Sequence, residues 1–205
     1  MSKAVMLSVR PKWCEKIING DKTIEVRKTL PKLETPFKCY IYCTVETAGY
    51  DALWVLDAPT REKYSFVAVS AYLENPKGAN KGNGKVIGEF TCDRIVDAWW
   101  DYVPDAITRE VAGGNLEALE GTGMTDGELF GYVGDGLRGH CYGWHISDLR
   151  IYDAPRELSE FERPYGCNEC DAKWATECNA CHEECKIKRP PQSWCYVKAM
   201  KEEAE

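Results

Sequence analysis

Five cysteines lie close together near the C-terminus of the chain and could bind a metal ion. Their spacing is Cys-x2-Cys-x7-Cys-x2-Cys-x3-Cys, and they are Cys167, Cys170, Cys178, Cys181 and Cys185. Each Cys-x-x-Cys pair supplies two thiolates from one short turn, which suits a tetrahedral zinc ion. Four thiolates leave no open coordination position, so the spacing predicts one structural zinc ion. A disulfide knot is the alternative for the same residues.

These five cysteines compete for four places in the predicted zinc site. Cys167, Cys170 and Cys178 fill three of them, because the first pair needs two partners from further along the chain. Cys181 would complete a second Cys-x-x-Cys pair, whereas Cys185 would give a wider loop. The fourth ligand stays open between these two, and we favour Cys181.

The oxidation state of the thiols depends on where the protein is found. The N-terminal apolar run stops at Arg10 without a small-residue cleavage site, so we predict no secretory signal. No apolar run approaches the roughly 18 residues of a membrane span. Both observations predict a cytoplasmic protein with reduced thiols, and therefore zinc rather than disulfides. The odd total of 11 cysteines also disfavours complete pairing, and the six outside the segment are expected to be mostly small core residues.

Length and charge limit the number of domains and the kinds of partner. A chain of 205 residues with seven Trp and eleven Tyr can bury a full core. Its net charge of -7 disfavours a generic electrostatic nucleic-acid binder. The charge is uneven, because residues 1–45 carry nine Lys/Arg against four Asp/Glu, while residues 89–135 carry two against eleven. Segment 89–135 could therefore dock a protein partner, or it is an ordinary solvated face.

Hydrophobic periodicity and turn residues predict short strands with few helices. Strands are predicted at residues 4–9, 23–27, 37–45, 85–98, 142–147, 149–152 and 193–197. Pro11 opens a helix that Gly20 closes, and further helices are predicted near residues 115–119 and 125–132, the latter capped by Thr125 or Asp126. This pattern predicts an α+β fold, a compact β-barrel with peripheral helices. The Cys-rich segment, residues 161–191, is interpreted as an insertion into a single domain of residues 1–205.

The segment from Leu7 to Arg27 resembles the opening of ASCH domains, which belong to the PUA-like superfamily. The shared pattern is a strand, a helix that begins with Pro, Gly20, and then Lys-Thr-Ile-Glu-Val-Arg from Lys22 to Arg27. Later matches are Lys-Val-Ile-Gly-Glu-Phe at residues 85–90 and Tyr-Gly-Trp-His-Ile at residues 142–146. The acidic and Cys-rich segments look like elaborations of a phage or bacterial type. The resemblance implies a small β-barrel with a cleft that binds RNA or a nucleotide-like ligand.

Some ASCH proteins hydrolyse the acetyl amide of N4-acetylcytidine, and others have been linked to RNA cleavage. The Lys of the amidohydrolase motif matches Lys22, but the position of its Thr nucleophile is occupied by Glu25, which cannot play that role. The resemblance therefore leaves Lys22 and Glu25 as candidate catalytic residues only in the form of an acid–base pair.

Six side chains of the matched segments suit a nucleotide-binding cleft. They are Arg10, Lys22, Glu25, Arg27, Trp144 and His145. The three basic side chains supply donors for phosphate or a carbonyl edge, and Glu25 could accept from an exocyclic amine. Trp144 and Trp13 offer stacking surfaces, and His145 could donate or accept a hydrogen bond.

The same side chains also have structural interpretations. Glu25 and Arg27 share one strand face and could pair with each other. Trp144 and Trp13 could be core residues, and His145 could be a hydrogen-bonded structural histidine.

Three functions follow from the sequence. We favour a binding module for RNA, a nucleotide or a modified base, without catalysis. The first alternative is a hydrolase of a modified nucleoside or RNA that uses Lys22 and Glu25. The second is a protein that docks a partner through acidic segment 89–135.

Overall fold

The structure, a computed structural model, describes residues 2–45, 52–63, 68–71, 77–102, 111–134, 138–164 and 185–200. The helices and strands follow the chain in this order: β1 (Lys3–Val9), α1 (Pro11–Ile18), β2 (Ile24–Arg27), β3 (Phe37–Cys43), β4 (Ala52–Leu56), α2 (Ala58–Lys63), β5 (Ala68–Ala71), β6 (Ala79–Lys81), β7 (Val86–Cys92), β8 (Ile95–Tyr102), β9 (Val111–Gly114), α3 (Asp126–Val133), β10 (Arg138–His145), β11 (Ser147–Arg156) and β12 (Trp194–Lys198). Short 3₁₀ helices span Leu116–Leu119 and Leu158–Glu160.

The described strands form three sheets. The first sheet has the order β11-β7-β3-β1-β12, the second β2-β10-β8-β9 and the third β5-β4-β6. Within the first sheet β1 runs parallel to β3, and the other neighbours are antiparallel. The molecule is therefore a mixed, sheet-dominated α+β fold.

The predicted β-barrel is wrong for the described strands, because the three sheets do not close on one another. The chain passes from the first sheet to the second at Asp93–Arg94 and returns at Ile146. The single strand predicted at residues 85–98 is therefore two strands, β7 and β8, in different sheets. The β7–β11 ladder also breaks its register twice. Such breaks bend strands and let sheets pack face to face instead of continuing a ladder.

The main core lies against one face of the first sheet. The β1 residues Val5, Leu7 and Val9 point to this face and pack with β3, β4, α1 and Trp144. Ala4 and Met6 point to the opposite face, which is covered by Phe161, Ile187 and other residues of the C-terminal part of the chain. A strand that is buried on both faces needs apolar residues at every position, which explains the continuous apolar run of β1.

The predicted helices are close to those observed. Pro11 occupies the first turn of α1, where its missing N–H has no helical partner to lose. Thr125, one of the two caps predicted from the sequence, caps α3, and Glu128 completes a reciprocal capping box. The element at residues 116–119 is a short 3₁₀ helix. The sequence analysis did not predict β4, β5, β6, β9 or α2.

Most of the predicted zinc site lies outside the described residues. This applies to Cys167, Cys170, Cys178 and Cys181, whereas Cys185 is described and buried. Within the described part of the chain, no group of three or more His, Cys, Asp or Glu side chains could hold a metal ion. The described helices include none that is long and apolar enough to cross a membrane.

Candidate functional site

The candidate site is built on β2, an edge strand of the second sheet. Gly20, at φ +85°, allows the chain to turn sharply from α1 toward this strand. All four β2 residues are buried. Because side chains alternate along a strand, Glu25 and Arg27 share one face, and Val26 packs on the other face against α3.

Three charged side chains meet at this buried position. The Glu25 carboxylate lies 2.8 Å from an Arg27 guanidinium nitrogen and 3.4 Å from the Lys22 ammonium. The exposed fractions of Lys22, Glu25 and Arg27 are only 2%, 7% and 4%. We call these three residues the charged triad. One carboxylate between two cations offsets much of their mutual repulsion, so the triad retains about one positive charge.

Arg27 also fastens the second sheet to the first. Its Nη1 donates to the Ser193 carbonyl at 3.0 Å and its Nη2 to the Ser8 carbonyl at 2.9 Å. Ser8 lies in β1 and Ser193 immediately precedes β12, the edge strand that pairs with β1 in the first sheet. These charge-assisted bonds hold together two sheets that share no ladder. The Arg27 Nε has no hydrogen-bond acceptor in the part of the chain that the structure describes.

Lys22 is held by main-chain oxygens as well as by Glu25. Its ammonium donates to the Ile24 carbonyl at 2.7 Å and to the Thr122 carbonyl at 2.8 Å. Burial lowers the pKa of Lys22, while the Glu25 charge acts in the opposite direction. Gly121, at φ +93°, lets the loop approach so closely that an added Cβ would lie 2.3 Å from the Thr23 hydroxyl. A side chain at residue 121 would therefore clash with Thr23 and would be strained by the left-handed backbone.

The rim of the site is formed by α1 and is basic and aromatic. The half-buried indole of Trp13 has three ammonium groups within cation–π distance of its ring centre, those of Lys12 at 4.7 Å, Lys16 at 5.2 Å and Lys22 at 5.4 Å. Arg10 stands exposed at the N-cap of the same helix. We call Arg10, Lys12, Trp13 and Lys16 the α1 rim.

Helix α3 completes this rim from the other side. Lys12 forms an ion pair with Glu128, and Lys16 donates to the Gly123 carbonyl at 2.6 Å. The hydrogen bond from Lys12 lowers the pKa of Glu128 to about 2. Near the end of α3, the ring of Tyr132 lies 5.3 Å from the Lys28 ammonium. Burial raises the pKa of Tyr132, and charges of Arg27, Glu25 and Arg10 also act on its hydroxyl.

The structure brings Lys22, Glu25 and Arg27 together, but it buries Trp144 and places His145 on the other face of β10. Trp144 lies directly opposite Glu25 on β10 and is completely buried. Its ring packs edge-on against Phe37 at 5.6 Å and lies 6.1 Å from Trp194. His145 is the next residue of β10 and therefore points to the opposite face. Its Nδ1 lies 2.6 Å from an Asp93 carboxylate oxygen, and this hydrogen bond lowers the pKa of Asp93.

Sequence reasoning missed the residues that hold the triad in place. Ser8, Thr122 and Ser193 contribute mainly through main-chain carbonyls, which carry no residue-type signal. The sequence signal that could have indicated a tight loop around Thr122 is the pair of glycines Gly121 and Gly123, both of which adopt positive φ.

The two ends of the Cys-rich segment meet in a short antiparallel pair. Glu162 and Lys186 form an isolated β-bridge, and the Arg163 N–H donates to the Cys185 carbonyl at 2.8 Å. Cys185, with an exposed fraction of 3%, lies on this neck. The described residues on either side of 165–184 therefore lie next to each other, and Cys167, Cys170, Cys178 and Cys181 lie outside the described residues.

No protein-family model matches the chain, and no curated protein matches it. Among solved structures the chain is similar to the ASCH protein of Zymomonas mobilis, at 14% identity over 95% of this chain and 87% of that chain, with a TM-score of 0.47. A serine-to-alanine mutant of the same protein gives 14% identity, 95% and 88% coverage, and a TM-score of 0.49. Likenesses of this size do not establish membership of the ASCH family.

Proposed function

We propose that this protein is an ASCH-type, PUA-like module that binds single-stranded RNA or a nucleotide at the α1 rim. The observation that carries the proposal is the group of three ammonium groups around Trp13, in a protein whose net charge is -7. A local concentration of cations on an acidic protein attracts anionic ligands to one place. An aromatic face among cations is also the combination that binds unstacked bases together with their phosphates.

The charged triad would hold the residues of the α1 rim in position. Arg10 is exposed and can approach a phosphate, so we assign it to ligand contacts. Lys22, Glu25, Arg27 and Trp144 are buried, and the Arg27 Nε that lacks an acceptor among the described residues is itself shielded from solvent. We therefore assign these four residues to positioning the rim. His145 is not part of the proposed site, since it lies on the other face of β10.

We propose binding rather than hydrolysis because of the way Lys22 is held. An ammonium group has three N–H donors, and Lys22 has three acceptors, Ile24 O, Thr122 O and the Glu25 carboxylate. An acid–base pair would need a donor or lone pair directed at the substrate.

Titration of a labelled single-stranded RNA against the wild-type protein and variants tests the proposal. We expect Arg10→Ala and Lys16→Ala to weaken binding, and each variant to reduce the dependence of log affinity on log salt by about 0.7. Lys77→Ala is the matched control, because Lys77 is exposed and precedes β6 in the third sheet. Equal affinity for all variants, or no RNA binding by the wild-type protein, would refute the proposal.

We also propose that the Cys-rich segment binds one structural zinc ion through four of its five cysteines. The paired Cys-x-x-Cys spacing supports it, and so does the β-bridge between Glu162 and Lys186, which brings the ends of the segment together. The buried Cys185 at this neck is as well placed to close the site as Cys181 is by spacing.

Elemental analysis of the purified protein tests the zinc proposal. We expect about one zinc per chain, retained in either Cys181→Ser or Cys185→Ser and strongly weakened in the other. The variant that loses zinc identifies the fourth ligand. Metal-free protein with these cysteines in disulfides would refute the proposal.

A further inference from the structure

An exposed row of polar and aromatic side chains continues from the charged triad across the second sheet. Tyr142 lies directly opposite Arg27, and Asp97 lies on the other side of Tyr142. In the next row of the same face, His140 lies opposite Trp99. We call Trp99, His140 and Tyr142 the aromatic strip.

The aromatic strip is accessible at the surface. Trp99 is 48% exposed, His140 is exposed and Tyr142 is half-buried. The rings of His140 and Tyr142 contact each other edge to face, with centres 4.9 Å apart. Residues two apart on a strand are separated by roughly 6.6 Å, so the rings form consecutive steps along β10.

The charges beside the strip are paired. The His140 Nε2 lies 2.7 Å from an Asp97 carboxylate oxygen, and the Arg138 Nε donates to Asp101 at 3.0 Å. The Arg138 guanidinium offsets the charge of Asp101, and the His140 ring is hydrogen-bonded to Asp97, which together reduce the repulsion of a nucleic-acid backbone by these two carboxylates. Carboxylates in such a position can accept from the exocyclic amine of a base, as Asp and Glu do with cytosine.

We propose that the aromatic strip is a second part of the nucleic-acid site, on which two or three bases of a single strand stack beyond the nucleotide bound at the α1 rim. This inference rests on the proposed function. The strip begins at Tyr142, which lies directly opposite Arg27 of β2. A bound single-stranded RNA can therefore extend from the α1 rim along this face of the sheet. Aromatic side chains in a row beside a cationic region are typical of sequence-tolerant single-strand binding.

The test compares a mononucleotide with a single-stranded RNA of about nine nucleotides, a length within the range of known single-strand sites. We expect the longer RNA to bind more tightly to the wild-type protein. Trp99→Ala and His140→Ala should each weaken binding of the longer RNA about tenfold and leave mononucleotide binding unchanged. Trp99→Phe should retain most of the affinity, since Phe still offers a stacking face.

The outcomes separate this inference from the proposed function. If the longer RNA binds wild-type protein and Trp99→Ala equally well while Arg10→Ala weakens it, the strip proposal is wrong and the rim proposal stands. If mononucleotide binding also falls in Trp99→Ala, the strip is not a separate part of the site. Absence of binding by both ligands overturns both proposals.

Discussion

The two ends of one sheet face differ sharply in the way they use polar residues. At one end, Glu25 and Arg27 are buried, and their charges are held by each other, by Lys22 and by main-chain carbonyls. At the other end, Asp101 and Arg138 form a similar pair with side chains that are 44% and 80% exposed. A pair of one carboxylate and one arginine on the same sheet face therefore has a different energetic role at each end.

This difference shows which of the two ends contributes to stability. A buried charge that loses its partner keeps its desolvation cost, whereas an exposed one is solvated by water. The buried end also joins two sheets that are not connected by a ladder, through Arg27, Ser8 and Ser193. We conclude that loss of one member of the charged triad would destabilise the fold, whereas the exposed end can contribute to binding.

The largest effect is expected for Glu25→Ala, which leaves the cations of Lys22 and Arg27 buried without a carboxylate. We expect a loss of about 3–5 kcal/mol in the free energy of unfolding, measured by urea denaturation. Asp101→Ala is the matched control at the exposed end and should change it by less than about 1 kcal/mol. Equal losses for the two variants would contradict the distinction between the ends.

Lys22→Met should have a smaller effect, because Glu25 keeps Arg27 as its partner. The Ile24 and Thr122 carbonyls lose a donor, for which we expect a loss of about 1–3 kcal/mol at neutral pH. In the folded state, burial lowers the pKa of Lys22 below its ordinary value of 10.5. Between that lowered pKa and 10.5 the unfolded chain binds more protons, so this contribution to stability rises with pH across that window.

The Lys22→Met variant should lack this alkaline contribution. We would measure the difference in unfolding free energy between wild-type and variant at neutral pH and near pH 10. This difference isolates the contribution of Lys22, because titrating Tyr and Cys side chains are common to both proteins. A difference that stays constant across this range would mean that the Lys22 pKa is not lowered.

The sequence predicts the local elements of the site well. Pro11 and Gly20 bound α1, and alternation places Glu25 and Arg27 on one face of β2, as observed. These features depend on neighbouring residues in the chain, which is why they could be recognised. A cap of α3 by Thr125 or Asp126 was predicted for the same reason, and the structure has Thr125.

Long-range pairing could not be predicted in the same way. Whether strands close into a barrel depends on which edges meet, and residues 85–98 carry no strong signal for the break at Asp93–Arg94 that separates two sheets. Trp144 and His145 are adjacent in sequence and both suit a cleft, but their strand parity relative to Glu25 appears only from the β2–β10 register. The carbonyls that hold Lys22 come from residues as distant as Thr122.

A moderate effect is expected at acidic pH from the ion pair between Lys12 and Glu128, which joins α1 to α3 at the border of the buried end. The pKa of Glu128 is lowered from 4.5 to about 2, chiefly by this pair. Its contribution is present above pH 4.5 and is lost as the pH falls toward 2. Lys12→Ala should therefore make stability fall less steeply over this range than in the wild-type protein. Identical pH profiles would show that the pair does not contribute.

The smallest effect on stability is expected at the aromatic strip, where Trp99→Ala should change the free energy of unfolding by less than about 0.5 kcal/mol. Trp99 is 48% exposed, so about half of its surface stays in water after folding. Its neighbour Trp100 points to the other face and is 1% exposed, and Trp100→Ala should lose about 3–5 kcal/mol. Urea denaturation of both variants under identical conditions therefore compares an exposed and a buried Trp on the same strand. A loss above about 2 kcal/mol for Trp99→Ala would indicate a buried core residue, and the strip would then not be available to stack bases.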